Sequence, residues 1–442
     1  MNLSQTDIKT TYFRYLGAAF GSALIGAIYS IVDMAMVGQY QGPNGTAALA
    51  VVAPVWNIVY SLGLLTGIGG SVLFSTASGQ GDIRKKNEYF TTALLGTLFL
   101  AMASWFAVIF LDTRMLRLFG AEATLLPYAK QYLRPIKFAV PLFLFNQMLS
   151  AFLRNDDNPS LATAAVLAGG IFNIFGDYLF VFTFRLGIFG AGLATAIGAA
   201  ITFLVMLIHF FSKKNTLRVV WPVGFLDKTK RILVTGFSTF FIDVAMGILT
   251  VLFNRQIIGY LGIDALAVYG VIVNISTIVQ CCAYSVGQAA QPILSVNFGA
   301  KQWDRIKEIL KYSLYSSFFF GTAWLFLVVA FPNGFISVFM TPTDGIYRIA
   351  PFIMRCYGIS FLLLPFNVFS TYYFQAIMKP GAAFFVSVSR GLVLSGSLIY
   401  LLPVCFGPNA IWFTMPITEL IVATAVTYLM RKSLQGFSGA HA

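Results

Sequence analysis

Long apolar runs separated by short polar stretches dominate this chain. Each run reaches about 20 residues, the length at which an α-helix crosses a bilayer. Twelve spans are predicted, at 12–38, 47–76, 88–111, 127–153, 160–184, 189–212, 230–260, 264–296, 309–331, 348–377, 383–405 and 409–430. Spans 2, 7, 8 and 10 are long enough to tilt, kink or project into water. A membrane β-barrel needs short alternating strands with a polar lumen face, and these runs are too long and too continuously apolar for that. The expected fold is all-α integral membrane, with twelve transmembrane helices.

The pattern is written twice. A shift of 221 places lays Arg134 on Arg355, Asn146 on Asn367 and Pro159 on Pro380. The loop with Arg84 and Lys86 falls on the one with Arg305 and Lys307. Ala48, Leu49, Ala50 and Val51 match Ala265, Leu266, Ala267 and Val268 at a shift of 217, as a longer first loop would produce. This predicts two pseudo-symmetric six-helix bundles, 1–212 and 232–442, joined by a cytoplasmic linker at 213–231. A duplicated membrane chain is the signature of a transporter, because two like bundles can move about a site between them.

Composition and charge sharpen this. Apolar residues make up 58% of the chain and charged residues only 10%, against roughly 25% charged in soluble domains. The net charge of +13 raises nucleic acid as a partner, but the placement of the charges argues against it. Segments on one side carry Arg84, Lys85, Lys86, Arg154, Lys213, Lys214, Arg218, Lys228, Lys230, Arg231, Lys301, Arg305, Lys307, Lys379, Arg431 and Lys432. The opposite loops carry little beyond Arg114, Arg117, Arg185 and Arg348. The positive-inside rule then places both termini in the cytoplasm of a multi-pass cell-membrane protein, with the basic residues facing anionic lipid.

The polar first ten residues do not resemble a signal peptide. Cys281, Cys282, Cys356 and Cys405 lack metal spacing and suggest no disulfide framework. With His209 and His441 as the only histidines, no metal site or catalytic triad can be assembled. An enzyme is not expected, and no cofactor. No Gly-x-x-x-x-Gly-Lys-Ser/Thr loop occurs, which points to a secondary carrier and not an ATP-driven pump.

Ionisable groups within spans are costly, by at least ~2.5 kcal/mol at the bilayer centre, and mark function by default. The deep acids are Asp33, Asp177, Asp243 and Glu419. Asn173 lies one turn before Asp177, and Tyr29 one turn before Asp33, so each pair shares a helix face. If spans 1, 5 and 6 meet, Asp33, Asn173, Asp177 and Thr195 converge. Such a set can hold a proton, since burial and a neighbouring like charge favour the neutral acid, or a sodium ion through oxygen ligands. The alternative is that the two acids cap loops or pair with nearby basic groups. At the 221 shift Asp33 becomes Asn254, Asn173 becomes Leu394, Asp177 becomes Leu398 and Thr195 becomes Pro416. The scaffold is duplicated and the polar set is not, which argues against a scaffold role.

Tyr29, Asn146, Gln147, Asp243 and Glu419 are candidates for lining a substrate cavity. Asp243 reads equally as a second titrating site or as the partner of Arg390 or Arg255. The Asn146–Asn367 match argues for a scaffold hydrogen bond in both halves. Arg134, Lys137 and Arg355 read as interfacial snorkelling residues. The 44 Phe, 20 Tyr and 13 Met suit lipid contact and packing, and some suit an adaptable cavity for apolar cations. Gly17, Gly21 and Gly26 in span 1, and Pro54, Pro141, Pro292 and Pro365 elsewhere, allow close helix contact or bending.

These residues resemble the multidrug and toxic compound extrusion (MATE) family. The resemblance rests on Val32-Asp33-Met34-Ala35-Met36-Val37-Gly38 ending span 1, on Asn173-x-x-x-Asp177, on Gly192-Leu193-Ala194-Thr195, and on Leu153-Arg154-Asn155-Asp156-Asp157-Asn158-Pro159. It covers essentially the whole chain. It implies two lobes about a central cavity and an antiporter; the 221-residue repeat and the inner-loop positive charge predict a monomer. The implied activity is export of organic, often cationic and amphipathic compounds in exchange for H+ or Na+. It also implies a first-lobe coupling site at Asp33, Asn173, Asp177 and Thr195, with Tyr29 matching a tyrosine one turn before the span 1 aspartate. Two departures stand out. Span 1 lacks the early proline of many members, and Asn367 stands where some carry a span 10 aspartate. The competing function is a flippase for lipid-linked saccharides, which would line its cavity with several arginines. Arg390 and Arg255 are the only good candidates for that. A channel would show a filter motif, and none is visible.

Overall fold

The structure is a computed structural model, which describes residues 6–121, 123–339 and 342–438; His441 lies outside them. Among the described residues twelve helices are long and apolar enough to cross a membrane. They are span 1, Ile8–Gln41; span 2, Asn44–Gly79; span 3, Ile83–Leu118; span 4, Leu126–Asn155; span 5, Pro159–Thr183; and span 6, Gly187–Phe211. The second half gives span 7, Phe225–Leu261; span 8, Ile263–Gly299; span 9, Trp303–Ala330; span 10, Asp344–Ala376; span 11, Pro380–Phe406; and span 12, Pro408–Phe437. The twelve predicted spans are all present.

Several helices outrun their apolar runs, because caps and not hydropathy set where helical hydrogen bonding starts. Span 3 starts five residues before its predicted edge: the Asp82 carboxylate accepts from the Lys85 backbone N–H at 2.9 Å. Span 10 begins behind Thr343, whose hydroxyl accepts from Ile346 N–H. These side chains satisfy backbone donors that the first turn leaves free. A short helix, Pro332–Phe339, precedes span 10 and was not predicted.

The helices are also broken at matching places. Span 4 changes to a 3-10 turn at Lys137–Ala139 before resuming with Pro141 in its first turn. Span 10 does the same at Ile359–Leu362, resuming with Pro365. A proline at a helix start gives up a donor that had no partner there. Each half thus resumes its helix on a proline, although Pro141 and Pro365 stand three places apart in the 221 register.

Two compact units divide the chain. One contains Gly17–Phe240, and the other joins Asp7–Leu16 to the chain from Phe241 onward. The division falls inside spans 1 and 7. In the first unit, spans 5 and 6 lie in close contact: a Cβ at Gly169 would meet the Gly198 carbonyl at 2.5 Å and collide with the Thr202 hydroxyl. Spans 1 and 5 are tied by Thr163, whose hydroxyl donates to Ala18 O at 2.7 Å and meets the Ser22 hydroxyl at 3.1 Å. Buried Val52, Val55, Val108, Leu133, Val181 and Ile188 form part of one apolar core across spans 2 to 6.

The polar stretch after span 6 is strapped to the same unit. Thr216 donates from its backbone N–H and its hydroxyl to Asp156. Arg218 N–H donates to Asn87 at 3.0 Å, and Val220 N–H donates to the Thr91 hydroxyl at 3.0 Å. Lys86, read from sequence as one of the charges facing lipid, is instead buried and donates to the Thr216 hydroxyl at 2.7 Å.

In the second unit the rings of Phe253 and Tyr269 stack at 5.1 Å, with Tyr357 edge-on to both. Asn367 donates to the Glu419 backbone carbonyl at 2.9 Å, fixing span 10 to span 12. Asn146 donates to Ala199 O at 2.9 Å, fixing span 4 to span 6. The paired asparagines therefore make equivalent side chain to backbone bonds in the two units.

Candidate functional site

The first unit gathers a small polar cluster between spans 1, 4, 5 and 6. Asn173 Nδ2 donates to the Thr195 hydroxyl at 3.1 Å, joining span 5 to span 6. That contact depends on the glycine seam, since Gly198 lies one turn beyond Thr195 and faces Gly169 and Asn173. Asp33 is buried on span 1, and its Oδ2 accepts from the Tyr132 hydroxyl at 2.6 Å. Tyr132 belongs to span 4 and also faces Thr195 and Asp177. Gly192 permits this approach: a Cβ there would collide with the Tyr132 carbonyl.

Asp177 is the extreme case. It is 0% exposed, feels the charge of Asp33, and neither of its carboxylate oxygens has a hydrogen-bond partner among the described residues. Asp33 Oδ1 and Asn173 Oδ1 are also buried without partners. Buried polar atoms are nearly always bonded, so four orphan acceptor oxygens in one place need an explanation. Directly after Asp177 the helix passes into a π-helical segment, Tyr178–Thr183, a distortion often found at functional sites. The orphan atoms are all acceptors, so the cluster suits a proton or a hard cation with oxygen ligands.

Tyr29 joins this neighbourhood. Its ring lies 3.4 Å from where a Cβ on Gly170 would sit, and it feels Asp33. The other candidates lie elsewhere. Asn146 binds span 6 as described, although its Oδ1 is buried without a partner. Gln147 packs against Gly63 of span 2. Asp243 and Glu419 belong to the second unit. Asp243 accepts from the Tyr284 hydroxyl. Glu419 is fully buried and accepts from Arg390 Nε at 2.7 Å and Asn367 Nδ2 at 2.6 Å. Arg390, weighed from sequence as a partner for Asp243, thus pairs with Glu419.

Tyr132 was missed because a lone tyrosine in an apolar span carries no charge to flag it. The repeat holds the missing signal. At the 221 shift Tyr132 falls on Ile353, so it is lost from the second half like its four neighbours.

Fold and site together define a multi-pass membrane protein with a buried polar cluster inside its first six-helix unit. The MatE family model matches residues 18–179 and 232–401, one match in each half. The multidrug export protein MepA of Staphylococcus saprophyticus is 25% identical over 419 residues, 93% of this chain and 92% of that one. MepA of Staphylococcus aureus (strain MSSA476) is 23% identical over 416 residues, covering 93% and 91%. A solved outward-facing multidrug resistance MATE family transporter of the MOP superfamily superimposes with a TM-score of 0.91. It shares 19% identity over 99% of this chain and 98% of that one. This chain belongs to the MatE family of membrane transporters.

Proposed function

We propose that this protein is a secondary antiporter of the cell membrane. It exports organic compounds, cationic and amphipathic ones among them, in exchange for protons or sodium. It works as a monomer with both termini in the cytoplasm. The single observation that carries the coupling role is Asp177. A carboxylate buried without a donor costs several kcal/mol as a bare anion, and a proton or a sodium ion relieves that cost. Asp33, Asn173 and Thr195 supply the remaining oxygens, and Tyr132 orients Asp33. An ion that binds one conformation better than another shifts the balance between them, and the ion gradient supplies the energy for export.

The MepA relatives, named as multidrug exporters, support the substrate class. The flippase reading is weakened by the arginines. Arg255 is exposed, and Arg390 is neutralised by Glu419. Among the described residues, neither of these two arginines therefore supplies the free positive charge that a multiply charged lipid head group needs.

The test is purified protein in liposomes with proton and sodium gradients imposed separately while efflux of a cationic dye is followed. One gradient, or both, drives efflux in the wild type. Asp33→Asn and Asp177→Asn each abolish it while remaining folded, and Asp243→Asn does less. Normal transport by both first-unit variants, with Asp243→Asn alone dead, would overturn the assignment.

A further inference from the structure

A groove opens on the exposed surface of the second unit, where the first turns of span 11 meet the last turns of span 12. Its volume is about 440 Å³, inside the range of about 300–1,000 Å³ usual for ligand sites. Gly381, Ala382 and Phe385 line it from span 11, and Ala425, Tyr428 and Leu429 from span 12. The missing side chain of Gly381 helps keep it open: a Cβ there would meet no atom within 4 Å. Phe385 and Tyr428 are exposed at its sides.

Three bases stand at one end of this groove. Lys379 immediately precedes span 11, and Arg431 and Lys432 lie one turn past Tyr428 on its own helix face. All three are exposed, and among the described residues no ion pair holds any of them. Lys379 is held in place: its Nζ donates to Ser433 Oγ at 2.8 Å, which ties the start of span 11 to the end of span 12. It also feels the positive charge of Lys432, a repulsion that an anion between them would relieve. The feature belongs to the second half alone. At the 221 shift Lys379, Arg431 and Lys432 fall on Asn158, Phe210 and Phe211, and Ala425 and Tyr428 fall on Leu204 and Leu207. The shared frame therefore does not require it.

We propose that the groove holds one anionic phospholipid, with an acyl chain along Gly381, Ala425 and Tyr428 and the phosphate among Lys379, Arg431 and Lys432. Any bilayer lipid can lay a tail in an apolar groove, and the bases select the head group. Tyr428 stands between the two, as a tyrosine at the boundary of tails and head groups does. The general attraction of basic loops for anionic lipid is thereby narrowed to one built site. The occupant is a component of the membrane and not an exported compound, so the proposal stands or falls independently of the export reading.

The test is native mass spectrometry of the purified full-length protein in detergent. It is titrated with palmitoyl-oleoyl phosphatidylglycerol or with phosphatidylcholine of the same chains, and the dissociation constant of the first bound lipid is read. Phosphatidylglycerol binds about tenfold or more tightly than phosphatidylcholine. Arg431→Gln with Lys432→Gln, which keeps the Lys379–Ser433 bond, removes most of that preference, and adding Lys379→Gln removes the rest. Gly381→Leu fills the groove without a clash at its Cβ and weakens binding of both lipids. Lys213→Gln with Lys214→Gln, which removes two exposed bases of the first unit, leaves the preference unchanged. Equal binding of the two lipids by the wild type overturns the proposal. So does a preference that survives the triple variant, one that falls as far in the Lys213 and Lys214 control, or unchanged binding in Gly381→Leu. A dimer that forms in place of lipid binding and is broken by Gly381→Leu would give the groove to a second copy of the chain, and overturns it too.

Discussion

The strap after span 6 gives the most direct quantitative test. Asp156 is its anchor. It is buried at the end of span 4 and accepts three hydrogen bonds, from His209 Nε2 at 2.8 Å, from Thr216 N–H at 2.8 Å and from the Thr216 hydroxyl. Asn158 Nδ2 lies 3.1 Å from His209 Nδ1. An amide nitrogen can only donate, so the neutral ring carries its proton on Nε2 and donates it to Asp156. Burial works against the charged Asp156, but His209 and Thr216 outweigh it and hold the carboxyl below its ordinary value. A depressed carboxyl contributes stability above its unfolded pKa of 3.8 and loses it as pH falls through the lower folded value. The Asp156 anchor is therefore fully in place at neutral pH.

Asp156→Ala removes two of the three bonds that hold Thr216, leaving the one that Lys86 donates to its hydroxyl. A hydrogen bond to a charged group is worth about 1.5–3 kcal/mol. Thr216 is exposed at the surface, so the pair together is set at the value of a single bond, again about 1.5–3 kcal/mol. Each 1.4 kcal/mol is about a tenfold change in the open population. Cleavage follows that population when opening is fast. Lys213, Lys214 and Arg218 are exposed trypsin sites on the strap. Limited trypsinolysis of the purified protein at pH 8, read by the appearance of the two half-chain fragments, should speed up about tenfold or more in Asp156→Ala. Thr216→Val, which keeps its backbone bond to Asp156, should show a smaller rise. Asp227→Ala breaks only the exposed Arg231 pair, and such pairs contribute about 0–1 kcal/mol, so its rate should match the wild type. A half-chain cleavage rate in Asp156→Ala within threefold of wild type would refute the reasoning.

Three further outcomes follow from other contacts. Gly169→Val forces a side chain into Gly198 and Thr202; overpacking of this kind costs about 1–3 kcal/mol, so thermal denaturation should show a lower midpoint, together with lost dye efflux. Glu419→Ala strands Arg390 beside a buried gap and should destabilise by about 3–5 kcal/mol, whereas Glu419→Gln with Arg390→Gln should lose much less; chemical denaturation of the two proteins should separate them clearly. A cysteine placed at Lys307, which is exposed, should react with a membrane-impermeant maleimide only after the inner face is opened, and strong labelling of intact cells would reject the proposed orientation.

The spans were legible because lipid demands a long apolar run for every crossing, and hydropathy measures that directly. Helix ends were not, since Asp82 and Thr343 act through single hydrogen bonds that no apolar run encodes. Asn173 and Thr195 were placed together from spacing and charge, and they do meet. Tyr132 lay outside that logic because its phenol is polar without being charged. The partner of Arg390 was out of reach for a different reason. Asp243 and Glu419 are both deep acids of the second half, and nothing in the sequence ranks one above the other. Only the packing of span 11 against span 12 selects Glu419. Lys86 shows the limit of counting charges: its sidedness was read from the loop, while its burial depends on a strap that arrives 130 residues later in the chain.

The places where the two halves differ are also where their helices are irregular. The breaks at Pro141 and Pro365 recur in both units and sit with the recurring Asn146 and Asn367 bonds. These are properties of the shared frame. The π-helical segments do not recur: one follows Asp177 in span 5, and the other contains Arg390 in span 11, at positions that the 221 shift does not superimpose. A π turn gives up regular hydrogen bonding and persists where that loss is offset by what it positions. Each one here lies against a buried charge that the other half lacks. Duplication therefore accounts for the bundle in each unit. The divergent π turns lie beside what the halves do not share, the orphan acceptor oxygens in the first unit and the buried Arg390–Glu419 pair in the second.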